Sequence, residues 1–262
     1  MLLQTTAIHE LVKAPKNSSI LLFKDRKGGV VEMEVRLLRV TPKGEELLEY
    51  ATTVSSHRLA TRTLVENDYS SVLEHIVFTF DIRGLSVAAS RELLEHRIAS
   101  HTARSTRYNE EADFEYYKPR LDEVASRIYE EAMERARTAY KKLREMGVPR
   151  EYARYVLPMA THSHYILTMN ARSLINFLSL RLCVRASPEM RELAMRMLEI
   201  CRKEYPQIFN GVFCRGVTQG TCPENEFRPK ECPFRDKIPT RKEIRMRGIV
   251  ENSKGSGEEQ KD

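Results

Sequence analysis

Apolar and polar positions change rhythm along the chain, and the changes mark its elements. In SSILLFKDRKGGVVEMEVRLLRVTP (18–42), β-branched and aliphatic residues flank a Lys-Gly-Gly turn, which predicts strand, turn, strand. EHIVFTFDI (74–82) alternates cleanly. It predicts a strand with Ile76, Phe78, Phe80 and Ile82 on one side and Val77, Thr79 and Asp81 on the other. Gly84 is expected to break that strand.

Helical spacing governs most of the remainder. Residues 44–67 predict one or two helices, and 86–98 another with Ser86 as its N-cap. Residues 121–147 predict a long amphipathic helix ended by Gly147 and Pro149. Residues 150–158 are expected to be helical up to Pro158, and 161–182 and 187–209 to form two more helices. After Gly211 the texture changes. Gly, Pro and Cys punctuate 211–240, and ENSKGSGEEQKD reads as a disordered tail. The pattern predicts a helix-rich α+β domain over 1–210 with a C-terminal extension over 211–262, and it contains no internal repeat.

Composition narrows the class. A chain of 262 residues can bury a real core, and its charged and apolar shares are those of a globular protein. No apolar run approaches the ~20 residues of a membrane span. MLLQTTAIHELVKAPK lacks the layout of a signal peptide, so a cytoplasmic location and no membrane partner are expected. The net charge of +6 favours anionic partners without choosing among nucleotide, folate and nucleic acid. Five cysteines, an odd number in a long chain, argue against a disulfide framework.

Candidate chemistry sits in a few places. HRIASHTARSTRY (96–108) gathers His96, Arg97, His101, Arg104 and Arg107 with Ser100, Thr102, Ser105 and Thr106, and no acid interrupts it. It is expected to leave the last turn of the 86–98 helix and continue as a loop. Guanidinium and hydroxyl groups so placed suit a phosphate, and a solvated surface loop would have the same composition. NARSLINFLSLR (170–181) puts Asn170, Ser173 and Phe177 along one helix side and Arg172, Asn176 and Leu180 along another. Polar groups in so apolar a helix need partners. His162 and His164 would point to different sides of a helix, and no HExxH is present. Cys214, Cys222 and Cys232 are spaced C-x7-C-x9-C without the CxxC knuckles of structural zinc sites. A fourth ligand would have to be Cys201, an acid or another chain, so no metal is expected. There is no Gly-rich phosphate loop or nucleophile elbow. An enzyme of this sequence would leave the hard chemistry to a cofactor.

Taken in order, the segments resemble the flavin-dependent thymidylate synthases. EHRIASHTARSTRY supplies His96, Arg97, Ser105, Arg107 and Tyr108 at the spacing of that family's Arg-His-Arg, Ser, Arg-Tyr motif. LEHIVFTFDIRGLS is similar to the strand before it, EYARYVLPMAT to the A-R-x-V-L-P segment, and NARSLINFLSLR to the N-A-R-S-L-x-N-F-L-x-x-R helix. The likeness spans roughly 45–210.

The resemblance implies a small antiparallel sheet and a homotetramer with active sites shared between subunits. It implies FAD as cofactor, dUMP as substrate, and methylenetetrahydrofolate and NADPH as co-substrates. The partners would be small molecules and not nucleic acid. Arg104, Ser105, Thr106, Arg107 and Arg154 match dUMP phosphate contacts. Glu92 and the catalytic Arg181 match the uracil side, where Arg181 helps N3 ionise. Ser55, Ser71, Glu74, Glu95, His96, Arg97, Asn170, Arg172 and Asn176 match the flavin side.

This sequence also departs from the family pattern. Glu95 replaces the first Arg of Arg-His-Arg, Glu92 a common Gln, and Tyr69 a frequent His. Thr102 and Ala103 replace Asn-Glu. RASPE replaces His-x-Gln-Trp-Glu, keeping Glu189 but changing Arg185, Ser187 and Pro188. Glu95 is the gravest change. A unit charge ~6 Å from a phosphate feels about 3 kcal/mol at an effective dielectric of ~20. A flavin- or nucleotide-binding paralogue that no longer methylates therefore stands as the alternative. A basic nucleic-acid-binding protein rests on charge alone.

Overall fold

The structure, a computed structural model, describes residues 33–246. Most of the 18–42 hairpin, the N-terminal stretch MLLQTTAIHELVKAPK and the ENSKGSGEEQKD tail lie outside the described residues. Four strands form one sheet: β1 (Glu34–Val40), β2 (Val77–Ser86), β3 (Ser100–Ala103) and β4 (His162–Asn170). Their order is β1-β2-β4-β3, and every neighbouring pair is antiparallel. The helices in chain order are α1 (Gly44–Thr52), α2 (Thr61–Glu66), α3 (Val87–Leu94), α4 (Glu123–Glu145), α5 (Arg150–Ala153), α6 (Ala171–Arg181), α7 (Pro188–Glu204), α8 (Pro206–Phe209) and α9 (Arg215–Thr218). Three-residue-per-turn segments occupy Ser70–His75, Arg154–Val156 and Asn225–Phe227. The fold is the helix-rich α+β class with a small antiparallel sheet.

The alternation in β2 sorts as expected. Phe78, Phe80 and Ile82 are fully buried, and Val77 is exposed. Phe78 meets Tyr205 and Phe209 edge-on at 5.9 and 5.5 Å. Leu167 and Met169 of β4 extend this face. Helix α7 covers it with Met190, Leu193, Ala194, Met197 and Cys201, a helical stripe.

On the other face Asp81 is buried although polar. Arg36 Nη2 at 2.6 Å, Arg83 Nε at 3.4 Å and His164 Nε2 at 2.5 Å surround its carboxylate. Burial opposes its ionisation, but the Arg36 and His164 hydrogen bonds outweigh burial and hold it below the usual carboxylate range.

Three expectations are corrected. Residues 161–182 do not form one helix, because their first half is β4. Tyr165, Leu167 and Met169 are buried while Ile166 and Thr168 are only partly so, a period of two that adjacent apolar pairs had disguised. Asn170 ends the strand and caps α6, its Oδ1 accepting from Ser173 N at 2.8 Å. His162 and His164 consequently share one strand face.

Gly84 does not end β2. The strand continues to Ser86 through an irregularity between Arg83 and Leu85, where Gly84 takes φ 76°. The loop expected after His96 contains the edge strand β3, paired to β4 from Ser100↔Thr168 to Ala103↔Tyr165.

Other signals hold. Ser86 caps α3 through Ala89 N at 3.0 Å, and Gly147, with φ 83°, follows the end of α4. Glu189, in the first turn of α7, accepts from Ser86 N at 2.5 Å and Ser86 Oγ at 2.7 Å, which ties the starts of α3 and α7 together. Burial raises the Glu189 carboxyl despite these bonds. The extension packs against α6: Arg215 of α9 donates to Asn176 Oδ1 at 3.2 Å, and Arg185 pairs with Glu224. Among the described residues no helix is long and apolar enough to cross a membrane.

Candidate active site

Helices α3 and α6 bring the first cluster together. The α3 N-terminus is fixed by Ser86 and Glu189, so its last turn carries Glu92 toward the end of α6. There Arg181 donates from Nη1 to Glu92 Oε2 at 3.0 Å, from Nη2 to the Glu92 carbonyl at 3.3 Å, and from Nε to His96 Nε2 at 3.1 Å. His96 also stands edge-on to the buried Phe177 ring at 4.8 Å. Burial chiefly, then the charges of Arg181 and His101, lower the His96 pKa to about 4. The ring is therefore neutral near pH 7 and accepts at Nε2, with its proton on Nδ1. Glu95 and Arg97 flank it, both exposed and without an ion pair among the described residues.

The second cluster is the turn after β3. Ser105 organises it: its carbonyl accepts from Tyr108 N and Asn109 N, and its Oγ from Arg107 N at 3.3 Å. Thr106 lies within this turn. Arg104 donates from Nε to Glu111 at 2.7 Å, and Arg107 Nη2 meets Glu151 of α5 at 2.9 Å. Arg154, one turn on from Glu151, lies over the Tyr155 ring at 5.4 Å and has no carboxylate partner among the described residues. Arg107, Arg144 and Arg150 line a cleft of about 350 Å³.

The third cluster surrounds the start of α6. Arg172 donates to Glu74 Oε1 at 2.7 Å across to the segment that holds the exposed Ser71. Asn170 is committed to capping, and Asn176 lies exposed one turn beyond Arg172. Ser55 is exposed in the turn after α1. Arg172 and Arg181 are nine residues apart on one helix, roughly 14 Å at 1.5 Å per residue. No hydrogen bond or ion pair among the described residues joins the 105–108 turn to Arg181.

Sequence reasoning missed the carboxylates that hold these cations. Glu111 is buried beneath Arg104, and Glu151 reaches Arg107. For Glu111 the signal was present in NEEAD, which puts three acids just after the cation run. The contact of His96 with Arg181 had no signal, because 85 residues separate them.

The sequence model of the thymidylate synthase complementing protein family matches residues 34–207, which contain all three clusters. A flavin-dependent thymidylate synthase from Sulfurisphaera tokodaii is 40% identical over 200 residues, covering 69% of this chain and 77% of the relative. One from Geobacter sulfurreducens is 43% identical over 163 residues, covering 60% and 69%. One from Pyrococcus abyssi is 39% identical over 175 residues, covering 63% and 72%. With its cationic clusters inside the matched span, the chain belongs to the flavin-dependent thymidylate synthase family.

Proposed function

We propose that the protein converts dUMP to dTMP by reductive methylation, with methylenetetrahydrofolate as carbon donor and NADPH as the final reductant. The observation that carries this reading is the Arg181 guanidinium held between Glu92 and neutral His96. A fixed cation at the edge of a uracil ring favours the N3-deprotonated anion and makes C5 more nucleophilic. Arg104, Ser105, Thr106, Arg107 and Arg154 would hold the dUMP phosphate, with Glu92 and Arg181 on the base.

The donor set also fits FAD. Among the described residues Arg97 lacks a carboxylate partner and the buried His101 Nδ1 lacks a hydrogen-bond partner, while Arg172 and Asn176 are exposed. These groups suit an anionic, phosphate-bearing cofactor, with Ser55, Ser71, Glu74, His96 and Asn170 around it. Reduced FAD would supply the hydride that completes the methyl group.

No side-chain hydrogen bond or ion pair among the described residues joins the three clusters, and exposed apolar residues flank each: Ile98 beside Arg97, Tyr108 and Tyr155 beside the turn, Tyr69 beside Ser71. That supports a homotetramer whose sites are shared between subunits. Anaerobic incubation with FAD, NADPH, dUMP and methylenetetrahydrofolate tests the reading through dTMP formation. Flavin and dUMP binding without dTMP would instead favour a non-methylating paralogue, which Glu95, without an ion pair among the described residues, supports. Failure to bind flavin would reject both.

A further inference from the structure

The C-terminal extension closes over α6 and the segment after it to form a cavity of about 250 Å³. Its walls are mainly apolar, and four of the five cysteines line it: Cys183, Cys214, Cys222 and Cys232. Cys183 follows α6 and supplies the fourth thiol that the C-x7-C-x9-C run lacked. Cys201 is buried in the core and takes no part. All five cysteines are free. The three extension cysteines lie beyond the family match at 34–207.

The four thiols line one shared cavity. Among the described residues no three His, Cys, Asp or Glu side chains converge closely enough to chelate a single ion.

Size separates the possible occupants. Four thiolates around one zinc at ~2.3 Å stand only about 3.8 Å apart and enclose no free space. This cavity equals about eight waters at their ~30 Å³ liquid share, yet its apolar walls do not suit water. A cubane binds each thiolate to a different iron, so it spaces four cysteines widely and fills the volume between them. We propose that Cys183, Cys214, Cys222 and Cys232 ligate a four-iron, four-sulfur cluster that fastens the extension to α6.

The test is the full-length protein purified anaerobically, assayed for iron, zinc and acid-labile sulfide per chain. These measurements are independent of any bound flavin. About four irons and four sulfides per chain are expected, with an electron paramagnetic resonance signal on dithionite reduction. Cys214→Ser and Cys232→Ser should lose most of the iron from the folded fraction, and Cys201→Ala should keep it. Two irons with two sulfides, one zinc without sulfide, or no metal would each overturn the proposal. So would full iron retention in both Ser variants.

Discussion

Arg181 gives its Nε–H to Nε2 of His96 at 3.1 Å, and that one contact fixes the tautomer of a half-buried imidazole. Nitrogen-edited NMR should find His96 protonated on Nδ1 and neutral from pH 8 down to a midpoint near 4. In Arg181→Gln the midpoint should rise but stay below 6.5, because burial, the larger cause, remains. dTMP formation in the same variant should fall about 10²–10³-fold, as when one preorganised donor is removed. A wild-type midpoint at 6.5 or above would refute this reading of the site.

Glu92 balances the charge that the uracil ring would use. In Glu92→Gln the amide oxygen still accepts from Arg181, but the neutralising carboxylate is gone. Both side chains are partly exposed, so screening reduces the Coulomb effect to about 1 kcal/mol. dUMP should bind roughly fivefold more tightly, and less so at high salt. Calorimetry across ionic strength measures this. Weaker binding would mean that the contact of the Glu92 carboxylate with the base outweighs the charge it cancels on Arg181.

The sequence carried the parts of this site whose partners lie close along the chain. Ser86 announced the start of α3 and caps it as its residue type requires, whereas Asn170, read as lying inside a longer helix, caps α6 instead. Spacing inside 96–108 and 170–181 marked the cationic groups, since each is one short local run. What stayed hidden was contact at long range. His96 needs Arg181, Ser86 needs Glu189, and Cys183 needs three thiols of the extension, none of which local pattern encodes. β4 was misread for a different reason. A nine-residue strand leading straight into a helix presents one continuous apolar run, and only burial in the fold separates period two from period 3.6.

Two histidines should shape the acid response. Burial lowers His162 to about 4, and burial with neighbouring cations does the same for His96. Between those values and the ordinary 6.5, the unfolded chain binds protons that the folded chain does not. Stability from these residues is therefore present above pH 6.5 and lost as pH falls toward 4. Glu189, raised by burial, has the opposite sign, and its contribution fades as pH rises above the ordinary carboxylate value of 4.5. Urea midpoints from pH 7.5 to 4 should decline, and His162→Gln should flatten the decline. An unchanged slope in that variant would show that His162 takes up its proton without cost to the fold.

Glu95 sits at the C-terminal cap of α3, exposed and without an ion pair among the described residues, so the fold itself does not require an acid there. A cation at a helix C-terminus is favoured by the backbone dipole, so Glu95→Arg should raise stability by a few tenths of a kcal/mol. Its effect on flavin should be much larger. Reversing a unit charge near a phosphate changes the interaction by several kcal/mol before screening, and about a hundredfold in affinity is expected at low salt. Fluorescence titration with FAD measures this, and the gain should shrink as salt is added. If the melting point rises while FAD affinity stays the same, Glu95 does not face the phosphates. The departure from Arg-His-Arg would then be a surface change, and it would no longer favour a paralogue with lost activity.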